Sequence, residues 1–393
     1  VKAGFVRMQV MADQDRTHAV SRAHGGAMFL AVKRLFLAAL LLALGLLASV
    51  ENAGAGPLTW GVDGPDGRRA DLKAIFEVMR ARGLTQYRVS ANLARDTDPY
   101  AVQMYRDMLA LAKTYGITLK PILATPFAWG DRTDGGKYPA GDSNALYQQA
   151  YSRTYTFVIN FKDQINDWEM GNEINLLALD SAGKKLYGRG WTAEEFDTSV
   201  MNDWAAILKG MSDAIDKINR EYGLHLRRVL NTTSTMFGFL DFMASKGVGF
   251  DVISYHYYEV LNQNPNRAWG GSRQAYSLFK KLGSYGKPVV FNEINCGEIY
   301  KPAYENEAGK PLTEACYKSL HATLSYIVNQ ADADIESVLV YELLDEPKKA
   351  PPENRFGLMY DIHTPKVPLY MLSRFAGKTL APHEAEELTK RGM

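Results

Sequence analysis

Two short stretches of the chain carry carboxylates and amides at a density that a core-filling strand would not tolerate. Residues 167–175 read DWEMGNEIN, which sets Trp168, Glu169, Asn172, Glu173 and Asn175 within nine residues, and Asn-Glu-Ile-Asn returns at 292–295 after the apolar run PVVF (288–291). Glu173 and Glu293 therefore share one local context, each following an Asn at the end of a β-prone run. Two carboxyl groups facing each other across a cleft can split a glycosidic bond: one attacks the sugar or activates water, and the other protonates the leaving oxygen. A gap of about 5–5.5 Å goes with a covalent intermediate and retained configuration, a gap of about 6.5–9.5 Å with inversion. Strand ends on opposite sides of a small barrel give the shorter gap. The acid must keep its proton near neutrality, which burial and a neighbouring negative charge both promote.

Other polar residues fit supporting roles. Arg88, in QYRVS, is expensive inside a barrel without a carboxylate from a neighbouring strand end. His256 and Tyr258 fall on one side of their run by its two-residue period, which brings an imidazole and a phenol beside the Glu293 run. Glu169, Glu259, Glu298, Glu342 and Asp345 also lie near run ends, but none follows an Asn; of these, Glu342 could bind a sugar hydroxyl. Trp129, Trp191 and Trp269 sit in polar, Gly-containing loops where large aromatics have no evident packing role, so they are expected to line an extended cleft and stack on sugar rings.

What must position these groups is a sheet. Eight apolar or β-branched runs alternate with helical patterns: LTWGVDG (58–64), QYRVSAN (86–92), TLKPILATP (118–126), INDWEMGNEIN (165–175), RRVLNTTST (227–235), FDVISYHYYE (250–259), KPVVFNEIN (287–295) and SVLVYELLDEP (337–347). Helices are expected at about 68–82, 98–115, 143–162, 193–222, 239–245, 272–282, 313–331 and 367–375, with apolar spacing such as Leu72, Ile75, Phe76, Met79. Eight such units predict a (β/α)₈ TIM barrel, an α/β fold with one catalytic domain over 56–393. An open doubly wound sheet is the rival, but the turn Gly61-Val62-Asp63-Gly64-Pro65 lacks the GxGxxG spacing. Polar residues crowd the C-terminal end of nearly every run, the rim where a barrel collects its chemistry. Long excursions on that side are expected at 127–142, 176–191, 261–273 and 296–312.

Composition narrows the class. With 45 Lys and Arg against 44 Asp and Glu and no basic block, nothing favours a nucleic-acid partner. The seven His are scattered without ligand spacing, so neither a metal nor a cofactor is expected. Residues 28–55 read as a secretory signal with Lys33 and Arg34, an apolar run over 35–50 and Ala53-Gly54-Ala55 as the cleavage site, so 1–55 is set apart as an N-terminal extension and signal; an uncleaved anchor is the rival, disfavoured because a span needs about 20 apolar residues. The expected address is thus periplasmic or secreted, with no integral span in the mature chain. The two cysteines, Cys296 and Cys316, either pair in an oxidising compartment or pack as small thiols.

The segments WEMGNEIN, ISYHYY and YELLDEP, with Asn172-Glu173 and Glu293, resemble a clan A glycoside hydrolase, and most of all glycoside hydrolase family 39 and relatives acting on Psl-type biofilm exopolysaccharides. The resemblance covers most of residues 58–370; Gly171 stands where many relatives carry a bulky residue. It implies Glu173 as acid/base, Glu293 as nucleophile held by Arg88 and Tyr258, and Asn172 and His256 on sugar hydroxyls. The expected activity is retaining hydrolysis of a polysaccharide or oligosaccharide, endo-acting on an exopolysaccharide, with an exo-acting enzyme or an inactive carbohydrate-binding barrel as alternatives.

Overall fold

The computed structural model describes residues 57–393 apart from 65–70, 93–98, 125–141, 181, 187, 260–263, 270–274, 297–301 and 351–352. The signal region, Trp129, Glu298 and the third-strand excursion lie outside the described residues. Eight strands occur in the expected order: β1 (Thr59–Asp63), β2 (Gln86–Asn92), β3 (Thr118–Ala124), β4 (Asp167–Met170), β5 (Arg227–Thr233), β6 (Val252–Glu259), β7 (Val289–Cys296) and β8 (Ile335–Tyr341). Each pairs in parallel with its sequence neighbour, and β8 pairs with β1, so the sheet closes into a barrel. The helices between are α1 (Leu72–Arg82), α2 (Pro99–Tyr115), α3 (Ser143–Val158), α4 (Ser199–Tyr222), α5 (Gly238–Ser245), α6 (Leu278–Gly283), α7 (Pro302–Asn329) and α8 (Val367–Phe375).

Local chemistry explains the boundaries. α1 buries Leu72, Ile75, Phe76 and Met79 on one stripe and stops at Gly83, whose φ of 75° belongs to the left-handed region. α4 starts where the Thr198 side chain accepts from the Met201 N–H and stops at Gly223, again left-handed at φ 63°. The outward faces of the strands and the inner faces of the helices form one continuous apolar shell, and Val229, Val252 and Val290 form a separate small apolar cluster.

Four boundaries depart from the pattern. β4 ends at Met170, five residues short of the expected run, because Gly171 turns left-handed at φ 81°. The stretch expected to open a helix at 272 pairs instead as a two-residue hairpin, Ala268–Trp269 with Ala275–Tyr276, and α6 follows it. α7 begins at Pro302, inside what the sequence suggested was loop. A final helix, α9 (Pro382–Thr389), was not expected; Pro382 fits its first turn and Glu384 accepts from the Ala381 N–H at 3.0 Å.

Candidate active site

Arg88 organises the C-terminal mouth of the barrel. It points inward from β2 with no exposed surface, between Tyr87 and Val89, which face the helix shell. Its Nη1 donates to Asp63 Oδ2 and to Glu293 Oε1, each at 2.6 Å, while Nε and Nη2 grip Glu169 at 2.7 and 2.9 Å. Nη2 also donates to Asn172 Oδ1 at 2.6 Å. The guanidinium thus ties β1, β4 and β7 together, which a lysine could not do with a single charged nitrogen.

Glu293 owes its inward direction to an irregularity in β7. Against β6 the register runs Ser254 to Val290 and then His256 to Glu293; against β8 it runs Val338 to Phe291 and then Val340 to Ile294. Both neighbours therefore show one extra residue on β7, a bulge that interrupts the two-residue period. As a result Asn292 and Glu293, adjacent in sequence, both reach the interior: Asn292 Nδ2 donates to Glu169 Oε2 at 2.7 Å, and Glu293 meets Arg88 and Tyr258. The Tyr258 hydroxyl donates to Glu293 Oε2 at 2.6 Å.

Glu173 arrives by a different route. It lies past the end of β4, at the head of a short 3₁₀ turn, with φ of 48° and ψ of 37°, a conformation that a non-glycine residue adopts only when its surroundings impose it. Its N–H donates to Asn231 Oδ1 at 2.7 Å, and Asn231 is in turn anchored on Ser254. The Glu173 side chain is partly exposed, and its Oε1 lies 3.1 Å from His256 Nδ1. The same nitrogen lies 3.3 Å from Glu293 Oε2, and one oxygen of each carboxylate falls within 4.8 Å of the other.

Electrostatics sort these carboxyls. Burial alone would raise Glu169, but Arg88 and His256 hold it down at about 2. Burial opposes ionisation of Glu293 too, yet His256, Arg88 and Tyr258 keep it below the usual carboxylate range. Burial disfavours a charged His256, and Glu293, Glu169 and Glu173 outweigh it, pushing the imidazole up to about 9. Asp63 goes the other way: burial, reinforced by Glu293, pushes it up to about 8 against the pull of Arg88.

Most of the residues expected from sequence converge here: Arg88, Asn172, Glu173, His256, Tyr258 and Glu293. His256 is fully buried between carboxylates, so the geometry does not present it to an open cleft as a sugar contact would require. Glu342 follows β8, is buried, and is pushed up to about 8 by burial and Glu346 against Lys349, whose Nζ lies 3.3 Å away. Asp345 is bound by Lys366 Nζ at 2.5 Å and by the Gly357 N–H, a structural brace. Trp191 does not lack a packing role: its ring meets Phe237 at 5.4 Å and Tyr276 at 5.1 Å edge-on, and Phe237 stacks on Tyr255 of β6. Trp269 lies on the hairpin strand. Cys296 and Cys316 are bridged, joining the end of β7 to α7. Glu173, His256 and Glu293 would also be plausible metal ligands by type. Both oxygens of Glu293 already accept hydrogen bonds, however, and the Arg88 charge beside them repels a cation.

Sequence reasoning passed over Asp63, Glu169, Asn231 and Ser254 as site members. Alternation on β4 held a signal for Glu169: Trp168 and Met170 face the shell, so Asp167 and Glu169 must face in. No family model matches the sequence, and no curated protein matches it. Among solved structures, a family 39 glycoside hydrolase from the gut symbiont Bacteroides cellulosilyticus superposes with a TM-score of 0.57 at 15% identity, over 81% of this chain and 63% of its own, so the chain spans less than two thirds of that protein. The family 1 β-glucosidase of Thermotoga maritima gives 0.52 at 13% identity, over 85% and 98%. A rice β-glucosidase in a covalent complex with Glc gives 0.55 at 12%, over 82% and 98%.

The chain shares its (β/α)₈ fold with glycoside hydrolases of families 39 and 1. At these identities the shared property is the barrel, and the site stands on its own geometry. No helix among the described residues is long and apolar enough to cross a membrane.

Proposed function

We propose that the chain is a retaining glycoside hydrolase working by double displacement. The observation that carries this is the approach of Glu173 and Glu293 to within 4.8 Å, with Glu293 held ionised by Arg88, Tyr258 and His256. That close oxygen-to-oxygen approach favours direct attack on the sugar over the wider spacing in which a carboxylate activates water. Glu293 attacks the anomeric carbon, the bond to the leaving oxygen breaks, and Glu173 delivers the proton that oxygen needs. Water then attacks the glycosyl ester, Glu173 takes its proton, and Glu293 departs as a carboxylate. The rice β-glucosidase caught in a covalent complex with Glc supports a covalent route on this fold.

The finer reading is an endo-acting enzyme on an exopolysaccharide, exported by a signal over residues 28–55, with the catalytic barrel over 56–393. It rests on the family resemblance of WEMGNEIN, ISYHYY and YELLDEP, and the disulfide is in keeping with an oxidising compartment. Proton NMR of the first-formed product from a panel of oligosaccharides tests the core claim: the anomer released should match that of the substrate, and the opposite anomer would exclude double displacement. Product sizes from a soluble polysaccharide test the finer one, since an endo-acting enzyme releases mid-length fragments and an exo-acting one only end units. Complete absence of turnover beside measurable sugar binding would favour the carbohydrate-binding barrel.

A further inference from the structure

The charge balance of the buried cluster does not close. Arg88 and His256, both 0% exposed, are its cationic groups, against three carboxyls, Asp63 at 7%, Glu169 at 3% and Glu293 at 6% exposure. Three negative charges against two positive ones, shut away from water, leave a surplus that binding one proton relieves. The hydrogen bonds indicate which carboxyl takes it. Glu169 accepts from Arg88 Nε and Nη2, Ser254 and Asn292, and Glu293 accepts from Arg88 and Tyr258 with His256 alongside. Among the described residues Asp63 has a single side-chain donor, Arg88 Nη1, and that nitrogen is shared with Glu293. Asp63 Oδ2 and Glu293 Oε1 each sit 2.6 Å from that one nitrogen, which sets the two carboxyls side by side. Two carboxylates cannot bond to each other without a proton between them.

We infer that Asp63 carries the surplus proton of the cluster and donates it as a hydrogen bond to Glu293, which makes Asp63 a positioning residue for the nucleophile. This rests on the assignment of Glu293 proposed above. While Asp63 is neutral, Arg88 Nη1 serves one anion, and Glu293 is aimed by three donors. When Asp63 ionises, two carboxylates compete for one N–H and repel each other, so the attack of Glu293 slows. The proton stays on Asp63 throughout the chemical step: an oxygen of Glu293 forms the ester bond as the leaving group departs with its electron pair. Groups facing Asp63 are Arg88 from β2, His256 and Tyr258 from β6, Glu293 from β7 and, past β8, Glu342. The upward shift of Asp63 to about 8, driven first by burial, puts its ionisation in an accessible pH range.

The test is the rate at which the full chain is inactivated by 2,4-dinitrophenyl 2-deoxy-2-fluoroglycosides of several sugars, followed from about pH 5 to about pH 10, with the adduct mapped by mass spectrometry. Dinitrophenolate leaves without protonation, so Glu173 drops out of the pH dependence. The wild-type rate should fall by up to about tenfold per pH unit above a midpoint near 8. Asp63→Asn should still label Glu293 but lose the fall near 8, keeping only a later one through about 9 as His256 gives up its proton, and Asp63→Glu should restore the first limb with a displaced midpoint. Glu342→Gln, the control for the other carboxyl near 8, should keep it. An unchanged limb in Asp63→Asn overturns the inference while leaving the nucleophile assignment intact. No adduct, or an adduct elsewhere, removes that assignment and this inference with it. Should Asp63→Asn not fold, infrared difference spectra of Glu342→Gln decide: a buried carboxylic C=O band lost between about pH 6 and about pH 10 supports the proton on Asp63, and its absence refutes it.

Discussion

Two charge networks lie at the two ends of the barrel, one partly open to solvent around a buried Asp167 and one shut away around Arg88, and they differ in how their charges balance. At the N-terminal end Asp167 is gripped by Lys120 Nζ at 2.5 Å and by Arg227 Nε and Nη2 at 2.6 and 2.7 Å, and Arg227 Nη1 reaches Glu336 at 2.8 Å. Two cations meet two anions, and although burial opposes it, Arg227 and Lys120 bring Asp167 down to about 2. At the mouth, Arg88 and His256 face more carboxyls than they neutralise, and the groups there shift in both directions: Glu169 to about 2, Asp63 to about 8, His256 to about 9. Burying charge is therefore not by itself a mark of function in this molecule. Under the proposed function the unclosed charge balance is what sets the mouth apart, because a group that can gain or lose a proton at working pH is what acid/base and nucleophilic steps need.

The comparison is sharpest in matched isosteric changes. Glu173→Gln at the mouth should lower kcat/KM by about 10²- to 10⁴-fold on substrates with poor leaving groups and far less on activated aryl glycosides. Steady-state kinetics on the two substrate types checks this, and equal loss on both would deny Glu173 the acid role. Asp167→Asn at the opposite end should reverse the pattern. Removing one partner of a buried ion network should reduce stability by about 3 kcal/mol while the folded fraction keeps its kcat/KM, measured by urea unfolding beside active-site titration.

Smaller, but diagnostic, is the pH dependence of stability. Asp167 and Glu169 are lowered in the folded chain, so their contribution is present above their unfolded values of 3.8 and 4.5 and is lost as pH falls through about 2. His256 and Asp63 are raised, so theirs is complete below 6.5 and 3.8 and is lost as pH rises through about 9 and about 8. Both networks should share the acid limb of a Tm profile, and only the mouth should shape the alkaline one. Asp167→Asn ought to weaken the first and spare the second; an altered alkaline limb in that variant would show that the two networks are coupled.

The smallest expected effect concerns the aromatic layer outside the barrel. Trp191→Ala should reduce stability by roughly 2 kcal/mol, less than a fully buried Trp, through lost contacts with Phe237 and Tyr276. Chain-length preference should not change. A selective loss on long polysaccharides would return Trp191 to the cleft, where the sequence suggested it belonged.

Much of this protein is written locally. The order of eight strands and the helices between them follows from apolar period and turn residues, because each element buries one face or stripe and the spacing of apolar side chains records which. The pair of Asn-Glu motifs also singles out Glu173 and Glu293 without coordinates as two carboxyls to be brought together, since such polar density at run ends has no packing explanation. What tertiary structure alone decided is how those groups are aimed. Period two cannot foresee the β7 bulge that turns both Asn292 and Glu293 inward, since a bulge is a mismatch between neighbouring strands rather than a property of one. Nor can it give the left-handed turn at Gly171 and Glu173, or the shell contacts that claim Trp191. The surplus of carboxyls around Arg88 is likewise invisible in a chain whose formal charge is +1, because it exists only after folding brings Asp63, Glu169 and Glu293, remote in sequence, onto one guanidinium and out of water.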